Sequence, residues 1–410
     1  PAVTAKPTLL ELSELEDDLV PEILPSSASM SVKAPTAKLR ALFARASSVS
    51  PQKEVVPGTA HALLEAKPTT PDHVAHLKIT ASDGEQTVVI TVDGVDVRVP
   101  GSVLLPPKRV NDILRLAPTD VVDISVVGTT ALVRSGRARW SLQVPVGEVS
   151  DLSRGADMTG ATSTMINASA FRTALRAARL AAATSARAAL MQLRVKDGSI
   201  IACDGGRLHK ALVQGLDPRM DTTIPVRVAD ELIKALDSAE GPLTFGYTDS
   251  HLVFEIGDDW IVAQKMLLAF PDLSQLLLSA EVTGTMKLIL DRAELDEAVK
   301  RVRVNSDPDV AVVTLSTVPG GRSANDWALE VKARDRAGNT ALEVVECQWD
   351  GKPKEVTYNH HHLTDALSVC TSPTLIMRLG GDTKSSRTPL LINDTDAGVT
   401  CVVTQVTHHL

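Results

Sequence analysis

The feature that most restricts this chain is a recurring order of elements. Helix, strands, helix, strands reads three times along its 410 residues, with little identity between the rounds. "TAKLRALFARASSVS" (36–50) and "PPKRVNDILRLAP" (106–118) are the helices of the first round. "NASAFRTALRAARLAAATSA" (167–186) and "RVADELIKALDSA" (227–239) belong to the second, "DRAELDEAVKRVRVN" (291–305) and "NHHHLTDALSVCT" (359–371) to the third. Between them run alternating Val-rich segments such as "QTVVITVDG", "VDISVVGTTALVRSGRARWSLQVP" and "WALEVKARDRAG", the period-2 pattern of half-buried strands. Such a pattern implies an α+β fold of three repeated domains, each with two helices packed on antiparallel sheets. The expected boundaries are 30–150, 151–283 and 284–410, behind an acidic extension over 1–29. "EVSDLSRGADMTGATS" (148–163) and "AFPDLSQLLLSAEVTGT" (269–285) read as junctions. Within the extension, "LLELSELEDDLVPEIL" reads either as a solvated acidic tail or as a short helix that docks on a partner.

Composition sets what the cores are made of. Apolar residues make up 44% of the chain, but aromatics only 3%, so the cores must be built from Ala, Val, Leu and Ile. No apolar run approaches the roughly 20 residues that span a bilayer, and no basic segment followed by an apolar one opens the chain. Cys203, Cys347, Cys370 and Cys401 form no CxxC pair, which fits a reducing compartment and argues against a cysteine zinc site. The expectation is a soluble cytoplasmic protein with no cofactor, no metal and no membrane partner.

The net charge is −8, of which residues 1–29 carry −5. The body is therefore only mildly acidic and has room for a basic face. The helices carry one. Lys38, Arg40 and Arg45, then Lys108, Arg109 and Arg115, lie on the first pair; Arg172, Arg176 and Arg179, then Arg227 and Lys234, on the second; Lys300, Arg301 and Arg303 on the fifth. Positions 172, 176 and 179 share one helical face. Helices gathered on one side of the sheets would make a positive lining that tracks phosphates without reading bases.

"IACDGGRLHKALV" (201–213) poses a separate question. Asp-Gly-Gly between two apolar runs is the signature of a β-hairpin. The basic residues after it are either solvated strand positions or part of a binding site. Enzyme signals are weak. "NHHH" (359–362) with Asp365 lacks HExxH spacing, and no GxSxG or Walker-type loop occurs. A histidine-bearing helix that faces DNA is the better reading of 359–362.

Three segments resemble the bacterial sliding clamp family, the β subunit of DNA polymerase III. "LVRSGRARWSL" (132–142), "ACDGGRLHKALV" (202–213) and "AFPDL" (269–273) are similar to the family's LVRSGRSRFSL, ATDGHRLA and FPDY. The likeness runs over about residues 30–406. It implies a head-to-tail dimeric ring of three-domain protomers whose helices line a hole around duplex DNA. It implies no catalysis, and partners that comprise the replicative polymerase, an ATP-driven clamp loader and repair proteins bearing short linear peptides. The implied peptide cleft holds Leu190, Cys203, Gly205, Gly206, Arg207, Leu208, Pro271, Leu276, Val402, Val403 and Thr404. The implied dimer interface sets Arg137, Arg139, Trp140 and Leu142 of one protomer against Val304 and Asn305 of the other.

The chain departs from the family's pattern inside that cleft. Cys203 stands where Thr is usual, Gly206 where a larger residue is, Thr404 where Met is common and Gln405 where Pro is. A β-branched Thr in place of a flexible Met alters pocket shape. The resemblance therefore implies a divergent clamp, a specialised second copy or a phage-borne one, with an altered peptide or inhibitor pocket. A clamp-like regulator that does not load on DNA is the alternative, raised by the polar Asn305.

Overall fold

The computed structural model describes residues 28–51, 59–71, 73–145, 161–237, 239, 241–320, 327–379 and 389–406. The acidic segment over 1–27, most of the 148–163 junction and the His408–His409 pair lie outside the described residues. The chain divides into two compact units, Pro1–Gly155 with Asp258–Trp260, and Ala156–Gly257 with Ile261–Leu410.

The first unit contains β1 (Ala28–Pro35), α1 (Thr36–Val49), β2 (Ala62–Lys67), β3 (His76–Ser82), β4 (Gln86–Asp93), β5 (Asp96–Val99), β6 (Gly101–Leu105), α2 (Pro107–Arg115), β7 (Val121–Val127), β8 (Thr130–Ser135) and β9 (Ala138–Gln143). Its strands form the sheet β5-β1-β7-β8-β9 and the run β4-β3-β2-β6. Helix α1 buries Leu39, Leu42, Phe43 and Ala46, the i, i+3, i+4, i+7 stripe of an amphipathic helix, and packs on α2. The segment expected as a strand pair over 122–145 is three strands. Gly128 and Gly136 both adopt positive φ, 57° and 54°, so each supplies a tight turn. The second turn makes β9 an edge strand.

The second unit holds the other two rounds. Its elements are β10 (Thr162–Asn167), α3 (Ala168–Arg179), β11 (Gln192–Lys196), β12 (Ser199–Cys203), β13 (Arg207–Leu212), β14 (Asp221–Pro225), α4 (Val226–Ala235), β15 (Pro242–Tyr247), β16 (His251–Ile256), β17 (Asp259–Gln264), α5 (Ser274–Thr283), β18 (Met286–Asp291), α6 (Arg292–Val302), β19 (Val312–Pro319), β20 (Trp327–Arg334), β21 (Thr340–Trp349), β22 (Glu355–Asn359), α7 (His360–Ser368), β23 (Thr374–Leu379), β24 (Leu390–Asp394) and β25 (Val399–Val403). One run is β10-β15-β16-β17. The other is β14-β11-β12-β13-β25-β24-β23-β18-β21-β20-β19-β22. Helices α3 and α4 pack as a pair, as do α6 and α7. The chain has five phenylalanines, and three of them meet in this core. Phe245 stacks on Phe254 with ring centroids 4.6 Å apart, and Phe171 of α3 lies 5.8 Å from Phe245.

A strand leads into each paired helix, and the sequence reading placed none of these six, β1, β6, β10, β14, β18 and β22. The junctions use N-caps where the sequence offers them. Asn167, Asp291 and Asn359 each accept a backbone N–H from the first turn of α3, α6 and α7. Helix α3 ends at Arg179, short of the expected 186. Ala181 and Ala182 donate three residues back, to Ala178 and Arg179, which tightens the chain out of the helix. The junction over 269–285 contains α5, which the leucine run disguised as a linker.

Candidate functional site

The 201–213 segment is a hairpin closed by two residues, as its Asp-Gly-Gly signature predicts. Cys203 pairs with Leu208 across β12 and β13, Asp204 donates its amide to the Arg207 carbonyl at 3.3 Å, and Gly205 and Gly206 form the turn. The Asp204 carboxylate accepts the amides of Gly206 (2.8 Å) and Arg207 (3.0 Å) and the Arg207 Nε–H (3.0 Å). This is an Asx turn with a charged brace. Gly205 takes φ +94°, and a Cβ there would collide with the Arg187 guanidinium.

Strand β13 then pairs with β25, placing Arg207 opposite Val403 and Leu208 opposite Val402. Thr404 follows and donates to the Gly206 carbonyl through both its amide (2.9 Å) and its hydroxyl (2.7 Å). Beneath this seam Leu190, Cys203, Leu208 and Val402 are buried in one cluster with Ala183, Ala280 and Leu391. Leu273, Leu276 and Leu277 of the α5 region pack against it and stay partly exposed, as do Met191 and Ile201. Leu278 on the same helix is 53% exposed. Val403 is buried, and Pro271 stands half-buried just before α5, outside the cluster. Gln192, fully buried, donates to the carbonyls of Ala189 and Leu268 and ties the segment before α5 to β11. Burial pushes the Cys203 thiol above its ordinary value, so it serves as a small apolar residue rather than a nucleophile.

The three histidines of α7 part company. His360 is buried, which lowers it to about 4. His361 is exposed. His362 turns to the hairpin, with its Nε2 3.8 Å from Asp204. The expectation of a histidine face toward DNA is therefore corrected for two of the three, because adjacent helical positions lie about 100° apart. Arg207 also pairs with Asp365 of α7. Among the described residues no cluster of three His, Cys, Asp or Glu is poised for a metal, and no helix is long and apolar enough to cross a membrane. His209, the other hairpin histidine, is fully buried; its Nδ1 lies 2.8 Å from the Ala177 carbonyl. Burial lowers it to about 4, so the neutral ring donates that bond and pins α3 to β13.

The basic helix residues are more neutralised than the sequence suggests. Arg172 and Arg176 share Asp237, and Arg179 grips Asp230 through two bonds of 2.7 and 3.0 Å. Lys234 lies 3.7 Å from Glu231, Lys300 is near Asp296 and Glu297, and Arg301 pairs with Glu343 and Glu297. Arg227 and Arg303 are exposed. In the first unit Lys38 donates to the Asp93 carbonyl; Lys38, Arg40, Arg109 and Arg115 are exposed, and Arg45 and Lys108 half-buried.

On edge strand β9, Arg137 just before it and Arg139 are exposed, whereas Trp140 is half-buried. Leu142 is 3% exposed. Leu142, expected at the dimer interface, is instead buried within its own unit: the two-residue period sets Ala138, Trp140 and Leu142 on one face, of which Leu142 alone is fully covered. In the second unit Val304 is 80% exposed, and Asn305 donates to the Thr340 carbonyl of β21. Leu342 and Val344 of β21 are 56% and 55% exposed. The sequence reading missed both, although strict alternation in "TALEVVE" places apolar side chains on each face in turn.

Residues 35–151 match the family profile described as DNA polymerase III beta subunit, N-terminal domain, and residues 283–406 the one described as its C-terminal domain. The "Beta sliding clamp" of Pseudomonas aeruginosa is 26% identical over 304 residues, covering 72% of this chain and 79% of that protein. That of Caulobacter vibrioides is 23% identical over 375 residues, covering 87% and 94%. Among solved structures, a beta sliding clamp of C. crescentus matches with a TM-score of 0.79 at 23% identity, covering 93% of this chain and all of that one. A P. aeruginosa clamp bound to griselimycin gives 0.77 at 21%, with the same coverage. With both terminal domain profiles matched and the fold shared along nearly its whole length, the chain belongs to the bacterial DNA polymerase III beta subunit, or beta sliding clamp, family.

Proposed function

We propose that this chain is a DNA sliding clamp, a processivity factor that encircles duplex DNA and catalyses nothing itself. One observation carries the reading: the hairpin, the C-terminal strand and α5 converge on an apolar cluster that is left partly uncovered. A shallow apolar site with a few polar groups suits capture of an extended peptide. On this reading its ligands are the short linear peptides of a replicative polymerase, a clamp loader and repair proteins, and griselimycin, bound by relatives, occupies the same cleft.

The domains would be 30–150, 151–283 and 284–410, joined head to tail in a homodimer. Edge strand β9 with Arg137, Arg139 and Trp140 would face Val304, Asn305, Leu342 and Val344 of a second copy. An unpaired strand edge and an exposed apolar patch are complementary halves of such a contact. The helices would face the DNA in a sequence-independent manner.

Light scattering over a concentration series tests the ring. A stable species of twice 43.6 kDa is expected. A persistent monomer would overturn the ring as the resting state and favour a non-loading regulator, since Asn305 sets an amide in the contact.

A further inference from the structure

Beside the apolar cluster lies a cavity of about 540 Å³, lined by Ala183, Arg187, Asp204, Gly206, Arg207 and His362 among others. Ala183 belongs to both cavity and cluster. A peptide seated on the cluster therefore has this polar chamber next to it. Its charges are unevenly committed. Arg179 is held by Asp230, and Arg207 by Asp204 and Asp365. The Arg187 guanidinium donates to the Asp204 carbonyl, at 3.2 Å, and among the described residues it pairs with no carboxylate. Gly206 leaves the loop bare: a Cβ there would stand 2.6 Å from His362 Cε1. The imidazole thus takes the space that a side chain at 206 would fill.

We infer that Arg187 and His362 form a carboxylate subsite of the peptide cleft, in which an acidic side chain of a bound peptide is captured together with one proton on His362. The inference rests on the cleft reading above. The groups facing His362 are Asp204 and Arg207 of the hairpin and His361 and Asp365 of its own helix. Burial is the largest influence and holds the ring below its ordinary value in the free protein; Asp204 and Asp365 act upward, Arg207 and His361 downward. A ligand carboxylate adds a negative charge in the same low-dielectric chamber and moves the ring up. By linkage, affinity for the acidic ligand then rises as pH falls through the interval between the two values, and is flat on either side. A neutral ligand shows no such slope.

The test uses the full chain and two labelled peptides. One is its own acidic, leucine-rich stretch Thr8–Leu15, "TLLELSEL"; the other carries Gln for both Glu. Glutamate stays ionised between pH 8 and pH 6, so only the protein titrates. Expected is binding of the acidic peptide about fivefold tighter at pH 6 than at pH 8, with proton uptake seen calorimetrically in buffers of different ionisation heat. The Gln peptide should be flat. His362→Gln should flatten the acidic peptide's profile, and Arg187→Ala should abolish its advantage over the Gln peptide. Persistence of the slope in His362→Gln, or equal behaviour of the two peptides, overturns the subsite. Griselimycin separates the two failures. If it binds the wild-type chain while the slope is absent, the subsite alone falls; if neither griselimycin nor peptide binds, the cleft reading falls and takes the subsite with it.

Discussion

The carbonyl of Gly206 receives two hydrogen bonds from Thr404, one from the amide at 2.9 Å and one from the hydroxyl at 2.7 Å. The last strand is thereby fastened to the hairpin loop at the lip of the cleft. Thr404→Val keeps the shape and the amide bond but removes the hydroxyl. The second unit should lose about 1 kcal/mol, read as a lower denaturant midpoint at unchanged slope.

His209 sets a pH limit on the same hairpin. Its folded value, about 4, lies below the ordinary 6.5, so the unfolded chain binds the extra proton. Stability is full above pH 6.5, falls as pH drops below it, and stops falling below about 4. The loss approaches ~3 kcal/mol at the acid end, and His360, also near 4, acts in the same direction. His209→Asn retains a donor for the Ala177 carbonyl without a titrating ring. Melting temperatures at pH 7.5 and pH 5 should differ less in this variant than in the parent.

Asp237 holds two of the arginines assigned to DNA. Asp237→Asn releases Arg172 and Arg176 for phosphates. Binding of a labelled duplex should strengthen, and the slope of log affinity against log salt should steepen by about 1 to 2. An unchanged slope between 50 and 200 mM salt would place these arginines away from the DNA.

Val304 is a bulky apolar side chain left 80% exposed. Val304→Asp should leave the melting temperature nearly unchanged, because little is buried. It should shift the light-scattering mass from twice 43.6 kDa toward 43.6 kDa if this patch closes the ring.

The three rounds of helices and strands were legible in the sequence because each rests on local periodicity, 3.6 for the helices and 2 for the strands. The Asp-Gly-Gly hairpin was legible for the same reason: Asp204 and Gly205 specify its loop within four residues. Tertiary structure decided everything that depends on where side chains from distant segments meet. The α5 helix escaped notice because its leucines face a cluster assembled from Leu190, Leu208 and Val402, and no local period marks that. The basic helix faces read as free charge, yet Asp230 and Asp237 lie some 50 to 65 residues away in sequence from the arginines they hold. Trp140 and Leu142 were expected together at a dimer contact, yet the sheet's own core covers Leu142 and leaves Trp140 half-buried. The bare backbone at Gly206 acquired its meaning only when α7 brought His362 against it.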